Sequence, residues 1–154
     1  MIIGGLQKVS LIDYPGHVSC VIFFAGCNFR CVYCQNPELV LPELIRPALS
    51  EEEFFAFLRK RVGKLDGVVL CGGEPTFQKG IVEFAERVKS MGFKVKLDTN
   101  GYFPDVLERM IEKGLVDYVA MDVKAPLEKY SEIVKVPVDV SRIVRSIDIV
   151  MNSD

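Results

Sequence analysis

Four short runs of the chain, residues 18–25, 68–71, 94–98 and 116–123, constrain the fold most. Three of them, 18–25, 68–71 and 116–123, are largely apolar, as buried strands are, and all four are followed by a stretch with helical periodicity. Ser50 opens the first helix, with Glu53 placed to complete a capping box and Phe54, Phe55, Phe57, Leu58 and Val62 as its apolar face. A second helix is expected over 80–91, with Ile81, Phe84, Ala85 and Val88 inward and Gly92 as its stop. Pro104 starts a third, which carries Val106, Leu107, Met110 and Ile111 and closes at Gly114. A short helix over 127–135 and a last one over 139–152 follow. The last carries a stripe of Val140, Ile143, Val144, Ile147, Val150 and Met151. Strand and helix alternate, so the chain reads as α/β with a parallel sheet and crossover helices. Residues 1–16 form an extended lead-in or hairpin closed by the turn Asp13-Tyr14-Pro15-Gly16. The pattern stops after a helix, which leaves the sheet short of its last strand or strands.

Composition narrows the class. A length of 154 residues with 49% hydrophobic content fits one domain, 1–154, with a sizeable core. A net charge of −2 advertises no basic face, so nucleic acid is not an expected partner. No apolar run approaches the ~18 residues of a membrane span, and the first residues lack the pattern of a secretory signal. The expected compartment is the reducing cytoplasm. There, five cysteines, three of them clustered, make a poor disulfide framework and a better metal or redox site.

The cluster is Cys27-x3-Cys31-x2-Cys34, in the loop 26–37 that leaves the first parallel strand. Three thiols fall one short of a structural zinc site, and the single His17 cannot make up a two-histidine set. Cys20 and Cys71 read as buried packing residues. In parallel α/β sheets ligands sit at the carboxyl ends of the strands, and the polar motifs fall at those ends. The second strand runs into Gly72-Gly73-Glu74-Pro75, the third into Asp98-Thr99-Asn100-Gly101, and the fourth carries Met121-Asp122-Val123-Lys124. Glycines admit a close backbone approach, and a carboxylate suits an ammonium group.

The cysteine spacing, the aromatic Tyr33 before the third cysteine and the Gly-Gly-Glu element together resemble the radical S-adenosylmethionine enzymes. The resemblance implies a partial (β/α) barrel. It also implies a 4Fe–4S cluster on Cys27, Cys31 and Cys34, with one iron left open for the amino and carboxylate groups of S-adenosylmethionine. Reductive cleavage then yields a 5′-deoxyadenosyl radical that abstracts hydrogen from a substrate. By the same resemblance, Tyr33 and Gln35 would meet the adenine through their backbone, and Gly72, Gly73 and Glu74 would face the amino group. Asp98, Thr99 and Asp122 would hold the amino-acid end, with a monovalent cation as an added cofactor, and Lys124 would lie near its carboxylate or ribose.

The motifs between residues 10 and 125 look like the activating enzymes of glycyl-radical enzymes. They are most similar to the activating proteins of anaerobic ribonucleoside-triphosphate reductase, although many of those carry His at the position of Gln35. The implied partner is a glycyl-radical enzyme, that reductase first. Residues 35–70 contain no cysteine, so no second cluster is expected there, and the electron would come from an external donor such as flavodoxin or ferredoxin. Two rival readings stand beside this one: a radical enzyme acting on a small molecule of the modified-nucleobase type, and a non-catalytic iron–sulfur module.

Overall fold

The protein is described by a computed structural model over residues 1–153. Five strands form one sheet: β1 Ile3–Ser10, β2 Ser19–Phe24, β3 Gly67–Gly72, β4 Lys94–Thr99 and β5 Tyr118–Met121, in the spatial order of the sequence. β2 to β5 pair in parallel and β1 pairs antiparallel with β2. The lead-in is thus a full strand of the sheet rather than a local hairpin. The helices α1 Glu51–Arg59, α2 Ile81–Ser90 and α3 Pro104–Glu112 make the crossovers, followed by α4 Tyr130–Val134 and α5 Val140–Met151.

Side chains alternate between the faces of a strand, and each face here has its own job. Cys20, Ile22, Phe24, Val68, Leu70, Val95 and Leu97 point to the helices and join Phe54, Leu58, Phe84, Val88, Leu107 and Met110 in the main core. The opposite face carries Val21 and Val69, which Tyr14 covers from the turn between β1 and β2. Further along, that face turns polar. The capping box at Ser50 forms as expected: Ser50 Oγ accepts from Glu53 N at 3.2 Å and Ser50 N donates to Glu53 Oε2 at 2.7 Å.

Three expectations need correcting. The fourth parallel strand shrinks from 116–123 to Tyr118–Met121, because among the described residues it has a ladder partner on one side only. Val62 falls beyond the end of α1 and is exposed. In α5, Val144 and Met151 are exposed, and the buried face is Ile143 with Ser146, whose hydroxyl donates to Gly101 O at 2.6 Å.

The end of β3 presses on β2. A Cβ on Gly72, which has a φ of 122°, would lie 2.3 Å from the backbone N and O of Phe24; a Cβ on Gly73 would lie 2.3 Å from Gly26 O. These two glycines are therefore required by strand packing. Gly72→Ala is expected to cost more than about 2 kcal/mol in urea unfolding. Gly92→Ala, at positive φ but in open space, should cost about 1 kcal/mol.

Candidate functional site

The carboxyl ends of β2 to β5 open onto one cavity of about 350 Å³, large enough for a nucleoside-sized ligand. It is lined by every residue the sequence singled out: Cys27, Cys31, Cys34, Tyr33, Gln35, Gly72, Gly73, Glu74, Asp98, Thr99, Asp122 and Lys124. Phe29, Asn36, Val40, Cys71 and Asn100 complete the wall.

The cysteine loop is held from two sides. Gly26 N donates to Leu39 O at 2.6 Å, and Gly26 O accepts from Glu74 N at 2.9 Å. On the far side Phe29 is buried against Tyr130, Val134 and Ile143. Arg30 N and Val32 N donate to Val134 O and Ile133 O at 2.9 and 3.1 Å. The short helix α4 is thus the bed of the cysteine loop, a role its sequence does not announce. Arg30 Nη1 donates to Cys27 O at 2.8 Å and to Phe29 O at 2.7 Å, fixing the loop's first turn.

Depth differs among the thiols. Cys27 and Cys31 are half-buried and Cys34 is exposed at the mouth. Burial pushes the Cys27 thiol up to about 11, partly offset by the N–H of Phe29, which donates to Cys27 Sγ at 3.4 Å. Burial also raises Cys31, with Lys124 pulling the other way. Metal ligation needs the thiolate form, so loading such a site releases protons.

Glu74 is held from within the protein. It is 1% exposed. Its Oε1 accepts from Thr76 N at 2.9 Å, from the Thr76 hydroxyl and from the Thr99 hydroxyl at 2.7 Å; its Oε2 accepts from Asn100 N at 2.7 Å. Three of the four donors converge on Oε1 and one on Oε2, so Oε1 is fully used and Oε2 is partly used. Burial pushes the carboxyl up, while all four donors favour its ionised form. Glu74 is a tie between the ends of β3 and β4. Thr99 is committed to the same tie, since its hydroxyl also accepts from Gly101 N at 3.1 Å.

The tie extends to the cysteines through Asn100, which the sequence placed in a motif but not in the site. Asn100 Nδ2 donates to Asn28 Oδ1 at 2.9 Å and approaches Cys27 Sγ at 3.9 Å. Tyr33 braces the opposite rim, its hydroxyl donating to Lys124 O at 2.9 Å. Asp98 is paired with Lys96 at 2.6 Å and Asp122 with Lys124 at 2.7 Å. Cys71 lines the cavity wall rather than the core, and burial pushes its thiol up to about 12.

The donor set fits an iron–sulfur centre. Three thiols line one wall, and N–H groups of Phe29 and Asn100 aim at Cys27 Sγ. Asn28 Nδ2 is buried beside them without an acceptor; cluster sulfurs accept such N–H groups, which tune the potential. Among the described residues no three Cys, His, Asp or Glu side chains close on a single-ion site. A tetrahedral zinc would need thiolates about 4 Å apart, whereas a four-iron cluster takes each thiolate on a different iron. Of the groups expected at a monovalent cation, Asp98 Oδ1 and Asp122 Oδ2 each meet a lysine, and the Thr99 hydroxyl meets Glu74.

Comparison with known proteins agrees with this geometry. The family described as the Radical SAM superfamily matches residues 21–153. A protein of Methanocaldococcus jannaschii, provisionally named a glycyl-radical enzyme activating enzyme, is 43% identical over 135 residues, which cover 87% of this chain and 55% of that one. The 7-carboxy-7-deazaguanine synthase of Thermococcus kodakarensis is 30% identical over 128 residues, 71% of this chain and 50% of that one. The chain thus spans about half the length of these curated relatives. The solved structure of TYW1 with a lysine-pyruvate adduct bound shares the fold, at a TM-score of 0.59 and 19% identity over 89% of this chain and 52% of that one. No helix of the described residues is long and apolar enough to cross a membrane.

Substituting Glu74 tests its structural role directly. Glu74→Gln places an amide N–H where only acceptors are wanted and should cost about 2–4 kcal/mol of unfolding free energy in the protein without ligands. A residue that served only a ligand would leave that value unchanged.

Proposed function

This chain belongs to the radical SAM superfamily, and on that premise we propose that it cleaves S-adenosylmethionine reductively to place a glycyl radical on a partner protein. The observation that carries the reading is the convergence of the three cysteines and three strand-end motifs on one cavity. Cys27, Cys31 and Cys34 would hold the 4Fe–4S cluster. That cluster, when bound, supplies the electron that breaks the sulfonium bond.

The remaining residues bind and position. Tyr33 and Gln35 sit at the mouth, where their backbone would meet the adenine. The backbone at Gly72 and Gly73 would face the amino group of S-adenosylmethionine, with Glu74 acting behind it as the tie that fixes β3. Asp98, Asp122 and Lys124 surround the place of its amino-acid end, and Thr99 holds Asp98's strand end in register. The partner is a glycyl-radical enzyme, with anaerobic ribonucleoside-triphosphate reductase the first to test. Flavodoxin or ferredoxin would deliver the electron.

The likeness to a deazaguanine synthase supports a second reading, in which the radical acts on a small nucleobase precursor. The unextended cysteine spacing of this chain and the higher identity to the activating-enzyme relative favour a protein substrate.

Two measurements decide. The full-length protein, reconstituted without oxygen and reduced, should convert S-adenosylmethionine to 5′-deoxyadenosine. Cys31→Ala should lose the bound iron and lower that product about a hundredfold or more. Retention of a full four-iron signal by Cys31→Ala would refute the ligand assignment. Incubation with anaerobic ribonucleotide reductase should then give a glycyl doublet in spin resonance. Turnover of a nucleobase precursor without that doublet would move the assignment to the second reading.

A further inference from the structure

The groups that the sequence offers to a monovalent cation are occupied from within the protein. The Thr99 hydroxyl is spent on Glu74 and Gly101. Asp122 Oδ2 receives Lys124 Nζ at 2.7 Å, but the Asp122 side chain is 73% exposed, so solvent screens that pair. Asp98 is the deeper acid, and its partner is deeper still. Lys96 is 8% exposed and sits two residues before Asp98, on the same face of β4. Its Nζ donates to Asp98 Oδ1 at 2.6 Å and lies 6.0 Å from the centre of the Tyr118 ring.

The arrangement is selective. Most of the strand residues around Lys96 are apolar, and an ammonium is retained at such depth only with a counter-charge in contact. Asp98 is that counter-charge, and it is also part of the cavity wall. Without Lys96, Asp98 would be a half-buried anion with Asp122 as its neighbour. It would also face the carboxylate of any amino-acid ligand. A protein built that way must recruit a cation from solvent before such a ligand can settle.

We infer that Lys96 is a positioning residue whose ammonium supplies, from inside the fold, the positive charge beside Asp98 that a monovalent cation would otherwise bring. S-adenosylmethionine binding by this protein is therefore independent of Na⁺ and K⁺. The inference rests on the S-adenosylmethionine reading above and departs from the cation expected from sequence.

The test is equilibrium dialysis of labelled S-adenosylmethionine against the full-length, cluster-loaded protein at constant ionic strength. The salts are tetramethylammonium, sodium and potassium chloride. The wild-type dissociation constant should agree within about twofold across the three salts. Lys96→Met should bind about tenfold more weakly in tetramethylammonium and recover about fivefold or more in potassium or sodium. Lys96→Arg, which keeps the charge, should stay insensitive to the salt. A purely structural lysine would change affinity without creating cation dependence. Wild-type binding that tightens fivefold or more with sodium or potassium overturns the inference, and this salt series stands even if Lys96→Met does not fold. Lys96→Met binding equally in all three salts also overturns it. Absence of binding in every salt overturns the S-adenosylmethionine reading itself, and this inference with it.

Discussion

The carboxylate of Glu74 holds the site in shape. A parallel sheet aligns its strands but leaves their carboxyl ends free to splay, because the ladder stops there. β3 and β4 pair only as far as Leu70 and Leu97. Beyond that point Glu74 replaces the ladder: its four accepted hydrogen bonds draw Thr76, Thr99 and Asn100 onto one buried anion. A buried carboxylate is costly unless its lone pairs are filled, and filling them is what forces the two strand ends together. The Asn100 side chain then reaches Asn28 and Cys27. The position of the innermost thiol of the loop, Cys27, is therefore set through Glu74 on the neighbouring strand end.

The other half of the loop is fixed by packing. Phe29 enters a small apolar cluster that is separate from the main core and built from α4 and α5. The cysteine loop thus lies between a polar tie on one side and an aromatic anchor on the other. Its tip, with Val32, Tyr33, Cys34 and Gln35, is exposed. That division suits a site whose inner thiol must be held while its outer one stays open to loading from solvent.

Most of the fold was legible because its signals are local. The capping box at Ser50, the stops at Gly92 and Gly114, and the apolar runs of β2 and β3 each sit within a few residues of what they determine. The membership of the cavity was legible for a topological reason: all parallel strands end on the same side, so the motifs after them must meet. The roles inside the cavity were less so. Gly72 and Gly73 look like ligand-approach glycines, but their neighbours Phe24 and Gly26 come from a strand about 45 residues earlier. Glu74 looks like a ligand carboxylate, but its donors include Thr99 and Asn100 from the next strand. Lys96 shares a face of β4 with Lys94 and Asp98 by simple alternation, but nothing local says that it is the lysine that is buried. The burial limits of α5 were missed for the same reason, since Val144 and Met151 fit the helical stripe yet no element of the described chain covers them.

The electrostatics of the cavity follow from this division of labour. The acids that line it are not equivalent: Glu74 accepts four hydrogen bonds from within the protein, Asp98 is paired from below and Asp122 is paired at the surface. What the wall presents to a ligand is then soft thiol donors on one side and acids already matched to lysines on the other. Under the proposed reading, the carboxylate of S-adenosylmethionine would lie beside acids that already have a lysine partner. A chain with a net charge of −2 can therefore build an anion-tolerant site without any basic patch. The pairing of Asp98 with its lysine traces back to the alternation of side chains along β4, which puts Lys96 and Asp98 on one face.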